Sequence, residues 1–443
     1  MASGNTIIDL QENESDKRIK EEIEKRTGKS PEQLLQEREK RIRDAINLKV
    51  PDKVPVSLSL GSFPFKYCGI PLSASYYDPM AYKKALIKTL LDFPTDSIFA
   101  LGATSGLALE IFGDSQLTWS GGPYPNDQGT MFLEKEIMAE DEYDLFITDP
   151  GDFVFRYYLP RRYKALEPLA ALPPLTSLLG VMGGFPLAHC VNSPDVLEAF
   201  HALAKADEAQ TKFYNDCTVA RELFGIPAVS EFISSGLHEP PFDQIVCLLR
   251  GLRGISLDMY KRPDKLLAAM DKLLEWALVR ADVASPEEFG KRIVNGGGNH
   301  FSSEEFVSRK QFDTFVWPTW KKALMGLIDR GFIPQWTMEG KNDDRIEPFL
   351  ELPKGKGVIN FEKVDMARAK SILNGHLCIS GNVPVSLMWG GTPQEVDEYC
   401  RKLIDTCGKD GGFILSAGGG LDDAKPENIH AMINAAEKYG RYS

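Results

Sequence analysis

The chain has 443 residues, 43% of them hydrophobic, and a formal net charge of −12 from 51 Lys+Arg against 63 Asp+Glu. This length can bury a large core, while the acidic balance argues against nucleic acid or an anionic membrane as a partner. No apolar run approaches the roughly 18 residues of a spanning helix, and the amino terminus lacks the apolar core of a signal peptide. The seven cysteines form no CxxC pair. We therefore expect reduced thiols and a cytoplasmic location.

Residues 1–50 are rich in charged, helix-favouring residues, which predicts an N-terminal helical extension. Pro51 and Pro55 then break the helical pattern and admit a strand. Asp78 and Pro79 are a typical N-cap and first helical position for the next helix.

From residue 51 onward, short apolar runs alternate with amphipathic stretches. We predict eight core strands: Val54–Leu60, Ser97–Leu101, Leu178–Gly183, Arg292–Gly296, Phe332–Trp336, Gly357–Phe361, Leu377–Ser380 and Gly412–Leu415. Eight strands interleaved with helices indicate an α/β fold, a (β/α)8 TIM-type barrel.

Two intervals, about 102–177 and 184–290, are too long for plain connections between a strand and a helix. Long insertions near a barrel mouth commonly form lids or substrate walls, and packing against a second subunit is the alternative. With no internal repeat or low-complexity linker, 51–443 is interpreted as a single elaborated barrel domain.

Function in such a barrel lies at the carboxyl ends of the strands. Glu339 follows an apolar strand and precedes Gly340, so its carboxylate is a candidate acid, base or metal ligand. The alternative is a solvated loop residue or a helix N-cap. Thr337, two residues earlier, would point to the same side as Glu339 and contact substrate.

Two further catalytic candidates are His300, after a glycine-rich strand end, and Glu362, which could instead pair with Lys363 or Arg368. Further candidates at strand ends are, for substrate, Trp336, Asn299 and Thr104 and, for a cofactor, Asn382, Gly418, Gly419 and Gly420. Trp336 and Trp389 could stack on a flat substrate or pack in the core.

Metal ligation is left open. His376 and Cys378 look like a ligand pair, but a cysteine inside an apolar strand usually behaves as a small hydrophobe. The chain contains no phosphate-binding G-x-x-x-x-G-K-[ST], no H-E-x-x-H, and no dinucleotide-type glycine pattern with its acidic partner.

Several segments resemble the uroporphyrinogen decarboxylase superfamily, from about Glu37 onward. The matching features are G-N-V at Gly381–Val383, G-T-P-x-E-V at Gly391–Val396, G-G-F-I-L-S at Gly411–Ser416, K-P-E-N at Lys425–Asn428, and the stretches Pro51–Leu58, Pro241–Leu266 and Phe315–Leu324. The resemblance implies the same barrel fold. It also implies either decarboxylation of a porphyrinogen or cobalamin-dependent methyl transfer.

The methyltransferase branch is the nearer of the two. True decarboxylases carry an arginine-rich motif near the amino terminus, and the corresponding VPVSLSLGSFPFKYCGIPLSASYY has no arginine. Arginine is the usual bidentate clamp for carboxylates, so a polycarboxylate porphyrinogen is disfavoured.

Methyltransferases of this branch often bind zinc through H-x-C after the fifth strand and a cysteine in G-C-G after the last. Here Thr337-Met338-Glu339 and Gly418-Gly419-Gly420 occupy those places, so zinc activation of a thiol is doubtful. The resemblance then implies methyl transfer from a small methoxyaromatic or methylamine donor to a corrinoid, with Glu339 protonating the leaving group. Alternatively, Glu339, His300 and Glu362 form a rearranged metal site.

The chain lacks the D-x-H-x-x-G context of a corrinoid-carrying domain, so the corrinoid is expected on a separate partner protein. The resemblance also implies a homodimer. Two other functions stay open: a decarboxylase or lyase acting on a non-porphyrin or porphyrinogen-like carboxylate, and a non-catalytic binding subunit.

Overall fold

A computed structural model describes residues 12–99, 102–227, 239–280 and 287–442. The strands of these ranges, in chain order, are β1 Val56–Leu58, β2 Ser97–Ile98, β3 Leu117–Thr118, β4 Met131–Phe132, β5 Ile293–Gly298, β6 Ile333–Met338, β7 Val358–Phe361, β8 Cys378–Val383 and β9 Phe413–Ala417.

The α-helices are α1 Glu12–Thr27, α2 Pro31–Ile46, α3 Phe63–Tyr67, α4 Ala74–Tyr77, α5 Pro79–Asp92, α6 Gly106–Phe112, α7 Tyr143–Thr148, α8 Pro150–Phe153, α9 Leu159–Arg162, α10 Gly184–Val191, α11 Pro194–Cys217, α12 Pro241–Ile245, α13 Gly251–Lys261, α14 Pro263–Arg280, α15 Phe289–Arg292, α16 Arg309–Gln311, α17 Trp317–Asp329, α18 Met366–Leu373, α19 Val385–Gly390, α20 Pro393–Leu403 and α21 Pro426–Tyr439. Tighter 3₁₀ turns span Lys164–Ala171, Leu175–Leu178, Arg221–Phe224 and Glu347–Glu351, and wider π-helical turns span Val154–Tyr158, Val246–Arg250, Phe312–Val316 and Ile404–Gly408. Among the described residues, no helix combines the length and apolar character that crossing a bilayer requires.

Seven of the strands form one all-parallel sheet in the order β2-β1-β9-β8-β7-β6-β5, and β3 pairs with β4 in a small antiparallel hairpin. The sheet curls strongly. Phe99, just after β2, and Asn295 of β5 lie at opposite edges of the sheet, yet both line one cavity. A curled parallel sheet with helices in its connections is the α/β, TIM-like architecture that the sequence predicts.

The predicted count of eight strands is not met in the described part of the chain, and the prediction for Leu178–Gly183 is wrong. That run begins at the end of a 3₁₀ turn and continues as a turn into α10. Leu179 and Met182 are 86% and 68% exposed, so this apolar run has no neighbouring strand or core to bury it. Of Ser97–Leu101, the last two residues lie outside the described ranges.

Helix α2 packs across the amino-terminal end of the sheet. Its Ile42, Ala45 and Ile46 form a cluster with residues at or near the start of five strands: Ile293, Ile333, Val358, Cys378 and Ile414. Arg41 of α2 also reaches Asp96, 2.5 Å away, just before β2. The amino-terminal end of the sheet is therefore closed, which directs ligands to the opposite end. The division into a 1–50 extension and a 51–443 barrel stays a prediction.

The two predicted insertions form a single long connection between β2 and β5, because no strand of the main sheet separates them in the described residues. It contains the β3–β4 hairpin and helices α6 to α15. Its last part brings Glu239 and α12 to the carboxyl-terminal end of the sheet, where Glu239 lines the cavity. At α5, Asp78 accepts the backbone N–H of Ala81 as its predicted N-cap.

Candidate active site

A cavity of about 370 Å³ lies inside the curled sheet and opens at its carboxyl-terminal end. Every strand of the main sheet contributes to it, either directly or through the residue that follows it. The lining residues are Ser57, Ser59, Phe99, Glu239, Asn295, Gly297, Gly298, His300, Gln335, Thr337, Glu339, Asn360, Ser380, Ser416, Ala417, Gly419 and Gly420. This volume suits a small molecule.

The inner part of the cavity is polar. Ser416 Oγ donates to Asn360 Oδ1 at 2.9 Å, and Ser380 Oγ lies 2.9 Å from Ser416 Oγ. Sequence reasoning missed these residues, although a signal was present: in β6 the polar Gln335 and Thr337 alternate with apolar neighbours, as side chains facing a barrel interior do.

His300 lies between two carboxylates at this cavity. Its Nδ1 is 2.8 Å from Glu339 Oε2, and its Nε2 is 3.4 Å from Glu239 Oε1. Burial lowers the pKa of His300, but the hydrogen bonds to Glu239 and Glu339 outweigh burial and raise the pKa to about 11. The two carboxylates therefore favour the protonated form of the imidazole at neutral pH.

The backbone of Glu339 is held by two buried asparagines. Asn299 Oδ1 accepts the N–H of Glu339 at 2.7 Å, and Asn342 Nδ2 donates to the carbonyl of Glu339 at 2.7 Å. The two side chains also bond to each other, Asn299 Nδ2 to Asn342 Oδ1, at 2.9 Å. Asn299 is fully buried and does not line the cavity, so in this structure it positions Glu339 and does not face a substrate.

Glu362 supports the same loop from the next strand. Its Oε2 accepts the N–H of Gly340 at 2.6 Å, and its Oε1 lies 3.7 Å from Lys363 Nζ. Arg368, the other partner considered from sequence, pairs with Glu347 at 2.6 Å. The carboxylate of Glu362 therefore binds the backbone just after Glu339, and Glu362 does not line the cavity.

The loop carrying His300 is held by Asp243 of α12, which sequence reasoning also missed. Asp243 Oδ1 accepts the N–H of Phe301 at 2.6 Å, and Oδ2 accepts Ser302 Oγ at 2.7 Å. Asp243 is fully buried, and burial raises the pKa of its carboxyl to about 7. The segment that places Glu239 beside His300 therefore also holds Phe301 and Ser302, the two residues that follow His300.

Trp336 lies away from the cavity. Of the two roles considered, stacking on a substrate and packing in the core, its surroundings match packing in the core. It is fully buried among aromatic residues on the helix-facing side of β6, with its ring 5.3 Å from that of Phe349. Trp389, by contrast, is 56% exposed. Alternation along β6 gives the reason, because Trp336 stands between two cavity-facing residues.

The cofactor candidates divide into two groups. Gly419 and Gly420 line the cavity, whereas Gly418 and Asn382 do not. Asn382 donates to the carbonyl of Val364 at 2.8 Å. A Cβ at Gly418 would meet the Glu362 carbonyl at 3.0 Å, so close packing accounts for that glycine.

Thr104 lines a neighbouring cavity of about 630 Å³, here called the second chamber. The second chamber shares Ser59 and Phe99 with the first cavity, so the two are contiguous. Thr337, the other predicted substrate contact, lines the first cavity.

A cysteine lies beside this site but not on its wall: Cys247 contacts Glu239, and burial together with the nearby carboxylates raises the pKa of its thiol. The lining of the first cavity contains no cysteine, and nowhere in the described ranges do three or more His, Cys, Asp or Glu side chains group as a metal site would require. His376 Nε2 lies 2.9 Å from the carbonyl of Leu352, and burial raises the pKa of Cys378 to about 12.

The uroporphyrinogen decarboxylase (URO-D) family model matches residues 195–439, more than half of the chain. This protein belongs to that family. The family relationship predicted from the sequence is therefore confirmed.

Two curated relatives are both called methylcobamide:CoM methyltransferase MtbA. The one from Methanosarcina acetivorans is 24% identical over 160 residues, which is 34% of this chain and 45% of the relative. The one from Methanosarcina mazei is 28% identical over 79 residues, 18% of this chain and 22% of the relative. The chain thus spans less than half the length of the curated relatives it matches.

A solved structure described as a methyltransferase from Methanosarcina mazei covers 90% of this chain and 98% of its own, with a TM-score of 0.55 and 14% sequence identity. At that identity, the likeness concerns the fold, and it supports the TIM-like architecture. The relatives and the structural neighbour carry the names of methyltransferase enzymes, in line with the predicted branch of the superfamily.

Proposed function

We propose that this protein is a methyltransferase that moves a methyl group from a small methylated donor to a corrinoid presented by a partner protein. The donor is of the methoxyaromatic or methylamine type. The observation that carries the proposal is the pair of His300 and Glu339, joined at 2.8 Å on the wall of a cavity with the volume of a small molecule. Relatives named for methylcobamide chemistry support the corrinoid as the other reactant.

The proton is supplied by the protein. When the bond between methyl carbon and donor heteroatom breaks, its electron pair stays on the leaving group, which must then be stabilised. Protonated His300 holds a proton at Nδ1, 2.8 Å from Glu339 Oε2, so Glu339 relays it to a leaving group in the cavity. Glu239, on the other side of the ring, keeps the imidazole charged.

The direction of transfer follows from the ligand set. The relatives' name includes coenzyme M, a thiol, and zinc activates such thiols as thiolates. In this chain Glu339 and Gly418–Gly420 stand where the resemblance implies zinc ligands, and no cysteine lines the cavity. We therefore assign the donor half-reaction, and not the methylation of coenzyme M, to this protein.

The corrinoid is treated as a second substrate. A macrocycle with its side chains exceeds a cavity of about 370 Å³, so it would approach from the open end, where Gly419 and Gly420 expose backbone. A corrinoid supplies the nucleophile for the methyl carbon. A carboxylate-clamping site is not favoured, because no arginine or lysine is among the residues that line this cavity.

The test is an anaerobic assay with Co(I) cobalamin and separate methoxyaromatic and methylamine donors, read as donor-dependent change in corrinoid absorbance. A second arm offers methylcobalamin and coenzyme M with added zinc. We expect transfer in the first arm and none in the second. Transfer only in the second arm, or carbon dioxide released from a carboxylate substrate, would refute the assignment.

A further inference from the structure

The second chamber is not used by the chemistry assigned above. At about 630 Å³, it is larger than the first cavity and adjoins it at Ser59 and Phe99, which line both. It lies between the segment after β1, the residues just before β4 and the loop after β9, and its wall includes Ser75, Thr104, Thr130 and Asp422. Because the two cavities meet at these side chains, a molecule bound beside Phe99 can contact both.

One wall of the second chamber is aromatic. Phe65, Tyr76, Tyr82 and Phe99 all line it. Phe65 and Tyr82 hold each other edge to face, with ring centroids 5.3 Å apart, and both are nearly buried, which fixes the wall. Aromatic side chains prefer edge-to-face or offset contact with another ring, so this wall suits a flat ring better than a saturated body of the same size.

The charged groups in the lining are already paired. Lys66 Nζ lies 2.5 Å from Asp423 Oδ1, and Asp422 Oδ1 accepts both the N–H and the Oγ–H of Ser62, at 2.7 and 2.8 Å. An uncharged ligand therefore leaves these hydrogen bonds and the ion pair intact.

From this geometry we propose that the methyl donor is an aryl methyl ether, whose ring occupies the second chamber beside Phe99 while its methoxy group reaches Glu339 and His300 in the first cavity. The inference rests on the proposed methyl transfer and selects between its two donor types. A methylamine has no ring to fill the second chamber.

The reaction balances with the groups named. The bond between methyl carbon and ether oxygen breaks, and its electron pair stays on oxygen. The proton of His300 passes through Glu339 to that oxygen, giving a phenol, and the methyl carbon bonds to the Co(I) corrinoid, which supplies the new electron pair.

The test measures binding first, so that it does not depend on turnover. Three probes are titrated by ligand-observed NMR: anisole, its saturated analogue cyclohexyl methyl ether, and tetramethylammonium. We expect anisole to bind most tightly. Phe99→Leu should weaken anisole about 3- to 10-fold, the effect of one aromatic contact, and leave cyclohexyl methyl ether nearly unchanged. The matched control Phe185→Leu alters a phenylalanine that is 70% exposed and should change neither.

A second pair of variants tests the location. Thr104→Trp fills the second chamber and should abolish anisole binding, whereas Thr176→Trp, at an exposed position, should not. Thermal melting and circular dichroism of the two variants show whether Thr104→Trp still folds. If it does not, the Phe99→Leu comparison carries the test.

The outcomes separate the inference from the proposed function. Anisole binding that needs the second chamber, with no methyl transfer, supports the inference about the ring and removes the proposed chemistry. Methyl transfer from methylamines with no anisole binding keeps the chemistry and overturns the inference. Equal affinity for anisole and cyclohexyl methyl ether also overturns the inference. So does a Thr104→Trp variant that no longer binds cobalamin but still binds anisole.

Discussion

Glu339 and His300 lie 39 residues apart in sequence and 2.8 Å apart in space, joined from Oε2 to Nδ1 at the ends of neighbouring strands. Parallel pairing of β5 with β6 brings these two strand ends together. The pairing has a chemical consequence, because a protonated imidazole in contact with a carboxylate can pass its proton through that carboxylate to a molecule bound in the cavity.

Replacing Glu339 by Gln should lower methyl transfer by about 10²- to 10⁴-fold, the usual contribution of a positioned acid, because the amide cannot relay a proton. Donor affinity should change much less, since the amide keeps nearly the same shape. Initial rates over a range of donor concentrations give kcat and KM separately. Glu351→Gln, which alters an exposed glutamate paired with Lys321, is the control. An unchanged kcat for Glu339→Gln would remove the acid role.

Replacing Glu239 by Gln should lower the pKa of His300 from about 11 toward its ordinary value, because one of the two carboxylates that raise it is lost. Histidine ring signals followed by NMR against pH measure this directly, with a His300→Gln variant to identify the signal. The chain offers a matched control in Glu198, which lies 3.6 Å from His201 on the surface. Glu198→Gln should leave the titration of His300 unchanged.

The interaction of His300 with Glu239 also makes the stability of the protein depend on pH. The pKa of His300 is higher in the folded protein than its ordinary 6.5, so its contribution is fully present below about pH 6.5 and lost as pH rises through about 11. The difference in free energy of unfolding between the wild type and Glu239→Gln should therefore shrink at alkaline pH. Urea unfolding at several pH values measures it, and a difference that grows with pH would contradict the assignment.

Much of the fold follows from local patterns, because runs buried in a parallel sheet are apolar and end in polar or glycine residues. This pattern predicts the strands Phe332–Trp336 and Gly412–Leu415, which correspond to β6 and β9. Leu178–Gly183 has the same composition but is exposed, and a local pattern does not reveal whether a neighbouring strand exists.

The site was predictable only in part, for a related reason. Glu339 and His300 follow strands directly, so position alone indicated them. Glu239 and Asp243 lie on the long connection before β5, and only the tertiary fold brings them to His300. The sequence predicts Asn299 as a substrate contact because it directly follows a strand, but its amide turns into the protein to hold Glu339.

Replacing Asn299 by Ala should lower the free energy of unfolding by about 2–3 kcal/mol, because the N–H of Glu339 and the side chain of Asn342 lose a buried partner. Methyl transfer should fall as well, since the loop carrying Glu339 is released. Chemical denaturation measures the first effect and kcat the second. Asn374→Ala, at an exposed helix end, should cost less than about 0.5 kcal/mol. If Asn299→Ala has the same free energy of unfolding as the wild type, Asn342 alone is sufficient to hold the loop.

Replacing Asp243 by Asn should change how stability depends on pH. Burial raises the pKa of Asp243 from 3.8 to about 7 in the folded protein, so its stabilising contribution is complete below about pH 4 and lost as pH rises through 7. The Asn side chain can still accept the N–H of Phe301 but does not titrate, so this part of the pH dependence should disappear.

Urea unfolding of the wild type and Asp243→Asn at pH 5, 6, 7 and 8 measures this change. Ser302→Ala, which removes one hydrogen bond to the carboxyl without removing the charge, is the companion variant. It should lower stability at every pH and keep the slope between pH 5 and 7. If Asp243→Asn shows the wild-type slope, another buried group titrates in this range, and the role of Asp243 is confined to holding the backbone after His300.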